Sequence, residues 1–354
     1  MRPFFFLSFC VISLLSADEW VAATDDTKTT IPEAPPTKSP EQINQEINQA
    51  QSDFEIAQKM FIPWYTGPLI TGSASNCPPK KLNFQPYLYL TVNYDSYDGQ
   101  RHTVKTPNAY FISPAMVLQT GITDWLDVTV VPQAFFRWEK NEYGGNFADL
   151  PLQFGFQLYK ETPYIPNIRV IVGELFPTGK YQDLNPERLG LDATGAGAFQ
   201  TTVGFIVSKV FWWFKLHPTA IRFAANCNLP NNDVTVHDYN AYGGGIGTKG
   251  EVNVGNSYNL DLGIEVSLTQ KWVIATDVAY TWSSKSLFSG TPGVTSSGGI
   301  PDNGAPSSDQ LSLAPAIEYN IDDSSGFIGG VWFSVTGRHS AEFVSLVLSY
   351  TKLF

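Results

Sequence analysis

The sequence predicts an all-β protein: a transmembrane, antiparallel, up-and-down β-barrel of about 12 strands, with a short N-terminal helix as a periplasmic or plug segment. Three observations predict it. Oil and polar residues alternate with the period of a strand, as in "YNLDLGIEVSLT" at 258–269, where Leu260, Leu262, Ile264 and Val266 share one face while Asp261 and Glu265 share the other. The gaps between such segments are alternately short and long. Aromatic residues gather at both ends of the segments. Composition agrees: 43% hydrophobic, 14% aromatic and only 16% charged, with a mean hydropathy of -0.10. A helical membrane protein would be greasier, whereas half of every barrel strand faces water.

The chain opens with "MRPFFFLSFCVISLLSADEWVAA", which reads as a signal peptide over 1–23. Arg2 supplies the positive end and Phe4 to Leu15 the apolar stretch, too short to span a bilayer. Cleavage is expected after Ala17 or Ala23. Residues 24–81 form a periplasmic lead-in, polar and Pro/Thr-rich at first. Within it a helix is predicted at 40–60. Ser39 caps it, Pro40 suits its first position and Gln42 reaches back to the cap. Ile43, Ile47, Ala50, Phe54 and Ala57 recur at helical spacing.

The barrel is predicted over 82–354, with strands at 82–95, 107–120, 125–139, 149–160, 167–177, 196–209, 213–226, 250–269, 271–284, 309–321, 327–337 and 343–354. In 167–177 and 213–226, Arg169, Glu174, Lys215 and Arg222 do not share a face. Pro86, Pro114, Pro132 and Pro315 fall inside strands, where each removes a ladder donor, so bulges are expected there. Short gaps at 121–124, 161–166, 210–212, 270–271 and 322–326 lie at one end. Long gaps at 96–106, 140–148, 178–195, 227–249 and 285–308 lie at the other, with a short one at 338–342. That sorting is the layout of a bacterial outer-membrane barrel with both termini in the periplasm.

If oil faces lipid, the polar parity faces the lumen. The lumen-lining candidates are Gln85, Asn93, Asp127, Gln133, Arg137, Gln153, Gln157, Asp261, Glu265, Asp277 and Glu318. Acids outnumber bases among them, which leans the pore toward cations. An aromatic girdle follows from Trp125, Trp212, Trp213 and Trp272 beside short turns, and Tyr94, Trp138, Tyr258 and Trp282 beside long loops.

The chemistry that is missing also narrows the reading. No basic stripe marks a nucleic-acid binder, and the net charge is -11. The four histidines, His102, His217, His237 and His339, lie at no metal-ligand spacing, and no metal or cofactor is expected. "VHDYN" at 236–240 and "RHSAE" at 338–342 hold groups a hydrolase uses, but the His-x-Ser-Asn-Gly signature of the barrel phospholipases is lacking. The glycines of 190–197 and 243–250 precede loops and strands rather than a helix start, so they are turn glycines. Acids at 302, 309, 322 and 323 read as solvated loop residues. Cys77 and Cys227 fall at opposite ends of the barrel, farther apart than a disulfide reaches, unless 60–81 threads the lumen as a plug.

Several stretches resemble a known family. "WYTGPLITGSASNCPPKKLNFQPYLYLTVNY", "GITDWLDVTVVPQAFF" and "GELFPTGKYQDLNPERLGLDATGAGAFQTTVGF" are similar to outer-membrane barrels grouped with the protein of the phenol meta-cleavage pathway. The resemblance runs from about 62 to the end and implies a transporter-like barrel for small apolar or aromatic compounds, with no catalytic residues. The expected function is therefore passive passage of small solutes across the outer membrane of a Gram-negative bacterium. The alternatives are a surface-exposed barrel whose long loops bind a ligand or host, and an outer-membrane hydrolase. The expected partners are outer-membrane lipid, a small-molecule solute, and the barrel-assembly machinery. The last would read a final strand of alternating oil that ends at Phe354, although Lys352 interrupts its apolar set.

Overall fold

Alternation at period two gives each strand one apolar and one polar face, and a sheet of such strands must bury or wet each face separately. In the computed structural model the sheet curls until its first two strands also pair with each other. The structure describes residues 38–60, 64–188, 190–214 and 217–354. The signal peptide and residues 24–37 of the lead-in fall outside these residues. The chain divides into two compact units, 1–48 and 49–354. Helix α1 (Pro40–Met60) spans the predicted residues. Its start is the reciprocal cap expected from Ser39 and Gln42: the Gln42 N–H donates to Ser39 Oγ at 3.2 Å and the Ser39 N–H to Gln42 Oε1 at 3.0 Å. No helix among the described residues is long and apolar enough to cross a membrane.

The strands are β1 (Leu82–Tyr97), β2 (Thr103–Gly121), β3 (Leu126–Val130), β4 (Ala134–Glu139), β5 (Glu142–Phe147), β6 (Leu150–Tyr159), β7 (Asn167–Phe176), β8 (Gln200–Phe214) and β9 (His217–Pro230). There follow β10 (Val234–His237), β11 (Lys249–Asn253), β12 (Ser257–Ser267), β13 (Trp272–Ser283), β14 (Ser286–Thr291), β15 (Gly304–Ala305), β16 (Ser308–Asp322), β17 (Ser325–Arg338) and β18 (Ser340–Leu353). The barrel is closed, antiparallel and has 12 staves. The segments β3 and β4 make one stave, and β5 and β6 its neighbour. Closure is sealed where the Phe354 N–H donates to Leu82 O at 2.9 Å. The remaining strands, β10, β11, β14 and β15, form a separate four-stranded sheet in the long loops. That sheet has its own small core of Ala198, Val234, Val236 and Val252.

Exposure settles which solvent lies on which side. Leu260 and Leu262 are 45% and 37% exposed, while Asp261 between them is 8% exposed and Glu265 is fully buried. The same holds around the barrel: Phe136, Phe154, Val172, Phe205, Phe223, Ile274, Ile317, Val331, Leu346 and Leu348 all face outward. So much contiguous exposed oil is foreign to a soluble monomer and suits a hydrocarbon surround.

Several boundaries differ from the sequence reading. The gaps at 96–106 and 140–148 are tight turns, because the strands on both sides run on. Asp98 accepts the N–H groups of Gln100 and His102, and Arg101 and Lys140 take left-handed backbone at φ 69° and 55°. No turn falls at 210–212: β8 runs through these residues to Phe214, so Trp212 and Trp213 belong to β8. The predicted strand 250–269 is two strands, divided at 254–256: β11 joins the loop sheet and β12 the barrel. Of the four strand prolines, only Pro132 breaks a stave, between β3 and β4. Pro86, Pro114 and Pro315 each hold register with a neighbour, opposite Met116, Leu88 and Thr276. The register shifts fall elsewhere, for example at Asn93/Asp95 and Gln157/Tyr159.

Candidate functional site

Closing the sheet sends every polar face into one interior, and that interior is the candidate site. The second occupant is the chain itself. Residues 64–81, read from sequence as part of a periplasmic lead-in, lie inside the barrel. Asn320 Nδ2 donates to Trp64 O at 2.9 Å, and Thr66 N–H to Glu318 Oε2 at 2.8 Å, near the short-turn end of β16. The chain then climbs. Asp277 receives the N–H of Ile70 at 3.2 Å, the N–H of Thr71 at 3.0 Å and the Thr71 hydroxyl at 2.6 Å. Asp277 is five residues up β13 from Trp272. At a rise of about 3.3 Å per residue and a tilt near 40°, that is on the order of 13 Å deep, about half the apolar band. The segment turns there and descends. Asn76 N–H donates to Gln157 Oε1 at 2.7 Å and Cys77 N–H to Asp127 Oδ2 at 2.9 Å, again at the short-turn end.

Each contact has a reason in local sequence. A segment without regular structure carries unpaired N–H groups, and burying them without acceptors is costly. Wall carboxylates supply those acceptors. Apolar contacts supply the rest: Leu69 packs among Ala275, Ala314, Ala316, Ile328 and Val347, and Ala74 among Ile171, Ile206 and Ala224. Small wall residues make room. A Cβ on Gly121 would collide with the carbonyls of Cys77 and Pro78, and one on Gly155 with the Arg169 guanidinium.

Two buried ion pairs flank the segment. Arg169 Nη2 donates to Asp127 Oδ1 at 2.6 Å and Arg169 Nε to Asn76 Oδ1 at 2.8 Å. Gln119 Nε2 also donates to Asp127, at 2.6 Å. Arg222 Nε donates to Glu265 Oε2 at 2.6 Å and its Nη2 to Oε1 at 3.2 Å, a bidentate clamp. Its guanidinium lies against Gly67 of the internal segment. Arg169 and Arg222 were absent from the residues expected in the lumen, and they offset much of the acidity read there.

The remaining residues expected in the lumen lie around these. Gln85, Gln133, Gln153 and Asp261 border an open cavity of about 710 Å³ beside the internal segment, together with Tyr87, Tyr89 and Trp332. Gln133 also donates to Asp149 O at 3.1 Å. Asn93 and Arg137 border a second cavity, of about 680 Å³, at the loop end. The interior is two-sided in character. Charged groups gather on β3, β7, β9, β12, β13 and β16. Aromatic groups gather on β1, β17 and β18, where Tyr89 meets Trp332 at 6.4 Å and Trp332 meets Phe343 at 4.9 Å.

Of the girdle candidates, Trp125, Trp138, Tyr258 and Trp272 are exposed. Trp272 packs against Tyr319 at 4.7 Å at the short-turn end, and Tyr258 against Trp282 at 5.4 Å at the loop end. Tyr94 donates to Glu342 Oε1 at 3.2 Å. Trp212 is half-buried, and the side chain of Trp213 lies outside the described residues.

The residues that suggested other chemistry have structural duties. Asp238 accepts the Gly247 N–H and Asn240 the Tyr242 N–H, so "VHDYN" spends its acid and amide on a turn. Asp309 pairs with Arg101 at 2.7 Å and Arg338 at 3.1 Å. Asp322 caps the Ser324–Ser325 turn. No cluster of three metal-ligating side chains occurs among the described residues. Cys77 and Cys227 are both free: Cys77 is in the interior beside Asp127, and Cys227 is in β9 near the loop end. Over the loop end, residues 177–188 and 190–199 fold inward. Asp149 accepts the N–H groups of Gly179 at 2.9 Å and Ala196 at 2.7 Å, and the Leu191 backbone rests on Gly144 of β5.

No protein-family model matches the sequence, and no curated protein matches it. Among solved structures, the chain is similar to an outer membrane channel from Pseudomonas putida F1, with a TM-score of 0.57 and 14% identity over 80% of this chain and 98% of that one. It also matches the transport unit of the autotransporter AIDA-I from Escherichia coli, with a TM-score of 0.44 and 10% identity over 87% and 98% of the two chains. A third match is the translocator domain of the autotransporter NalP from Neisseria meningitidis, with a TM-score of 0.40, 8% identity and coverages of 87% and 98%. The first shares the fold of this barrel.

Proposed function

We propose that the protein is an outer-membrane channel for passive passage of small solutes, its short-turn half facing the periplasm and narrowed by residues 64–81. One observation carries the reading. The closed barrel leaves an open, mixed polar and aromatic cavity of about 710 Å³ beside a chain segment hydrogen-bonded to its wall. A barrel that served only as a platform would have no need of open interior space. Its twelve staves set a width between that of filled eight-stranded barrels and that of open porins. Interior carboxylates and amides keep polar solutes wetted, and the strip of Tyr87, Tyr89, Trp332 and Phe343 offers apolar rings to aromatic ones. On this reading β18, followed by the final Phe354, is the strand presented to the assembly machinery.

The test is single-channel recording in a planar bilayer. Trp64 and Cys77 both lie at the short-turn end, so deleting 65–76 leaves β1 in place. The wild type conducts KCl, and the deletion raises conductance several-fold. Silence from both proteins, with the barrel folded, would overturn the channel reading. Equal conductance would overturn the narrowing by 64–81.

A further inference from the structure

Arginine is seldom buried without an anion, because its charge loses water and gains nothing in return. In this barrel the rule holds almost everywhere. Arg169 faces Asp127, Arg222 faces Glu265, and Arg101 and Arg338 share Asp309. Arg137 is different. No carboxylate lies within ion-pair distance of it among the described residues, and its Nε is buried with no hydrogen-bond partner. Its guanidinium lies 5.6 Å from the centre of the Phe111 ring and 5.4 Å from that of Phe135. Two rings hold the plane of the cation and leave its Nη groups for something else.

Arg137 is part of the wall of the loop-end cavity of about 680 Å³. Its walls come from the ends of β1, β2 and β4 and from the β17–β18 turn, with Leu191 of the inward-folded loop closing one side. Tyr97, Phe111 and Leu191 give it an apolar surface. Two acids share it, but both are engaged: Asp95 with Lys105, and Glu139 with Lys140 at 3.6 Å. The result is one unneutralised planar cation, set among aromatic walls, in a space the size of a small-ligand site. A guanidinium matches a carboxylate with two parallel hydrogen bonds, and an attached ring would be received by Phe111, Tyr97 and Leu191. Asp95 and Glu139 make the surroundings unfavourable to a second negative charge.

We propose that this cavity is an outer binding site for aromatic monocarboxylates of the benzoate class, with Arg137 gripping the carboxylate. This rests on the channel reading and names the solute class that its outer end selects. The experiment is calorimetric titration of the full-length barrel in detergent with benzoate, benzyl alcohol and phthalate, alongside KCl conductance in a planar bilayer. Benzoate binds at least tenfold more tightly than either of the others. Arg137→Gln loses benzoate affinity at least tenfold, Arg137→Lys loses part of it because the fork is gone, and Arg188→Gln leaves it unchanged. Equal affinity for benzoate and benzyl alcohol in the wild type overturns the proposal without any variant being folded. Full benzoate affinity in Arg137→Gln overturns it too. If benzoate fails while KCl current is normal, this inference alone falls; if the wild type carries no current, the channel reading falls.

Discussion

Arg222 and Glu265 illustrate what the lumen asks of single residues. The pair is nearly dry, with side chains 12% and 0% exposed, and each charge depends on the other. Removing one partner strands the other, at a cost of about 3–5 kcal/mol. Arg222→Met is therefore expected to destabilise the folded barrel by that order, read as a shift in urea unfolding in lipid vesicles, and Glu265→Gln added to it should recover much of the loss. On the outer wall the sign of the argument reverses. Leu346 is 43% exposed to what is, for this fold, hydrocarbon, so Leu346→Arg should cost about 2–4 kcal/mol if it lies near the midplane. The two residues were not equally readable. Leu346 sits in clean alternation. Arg222 was obscured because a turn placed at 210–212 drew Lys215 into its strand, although Ile221 and Phe223 already marked the outward parity. Arg169 was obscured by Glu174, which sits at the loop-side end of β7 and is bound there by Thr201 and Asn231. At a strand end either parity can reach water.

Among the elements, the internal segment and the long loops differ most from a bare alternation of strands. The segment 64–81 has no periodicity because it forms no regular structure. Its order comes from Asp277, Glu318 and Asp127, three acids distant in sequence. The loop of 177–188 and 190–199 is ordered in the same way, by Asp149 from outside it and Lys180–Asp192 within it at 2.7 Å. Burial pushes the Asp192 carboxyl up, but the Lys180 ammonium and the Asn185 N–H outweigh it, and the group sits below its ordinary value. A lowered folded value means that the stabilisation is complete above the unfolded value of about 4 and is lost as pH falls through the folded one. Hydrogen exchange at 185–192 should stay protected from pH 7 to about 4 and open only below that. Opening between pH 7 and 5 would exclude Asp192 as the tie.

For the whole molecule, the governing fact is inversion: hydrocarbon outside, water and chain inside. The two free cysteines report it. Cys227 lies opposite Val203 and Tyr258, which are 44% and 40% exposed on the outer wall, while Cys77 is buried in the interior and its thiol meets Lys81 O. In vesicles, a lipid-soluble maleimide should label Cys227 and a charged one should not. Cys77 should resist both until residues 64–77 are displaced. Labelling of Cys227 by the charged reagent alone would place the outer wall in water and end the membrane reading.

Strand alternation and the sorting of most turns and loops were determined by sequence alone, because period-two patterning is local and each stave repeats the same oil-out rule. Tertiary structure decided which interior charges meet, where the unpatterned 64–81 segment goes, and which arginine is left without an acid. Those outcomes depend on stagger between strands and on contacts across as many as 256 positions of sequence, as from Trp64 to Asn320. No local pattern encodes such contacts. They are set by the closed geometry of the barrel and by the cost of burying a polar group without a partner.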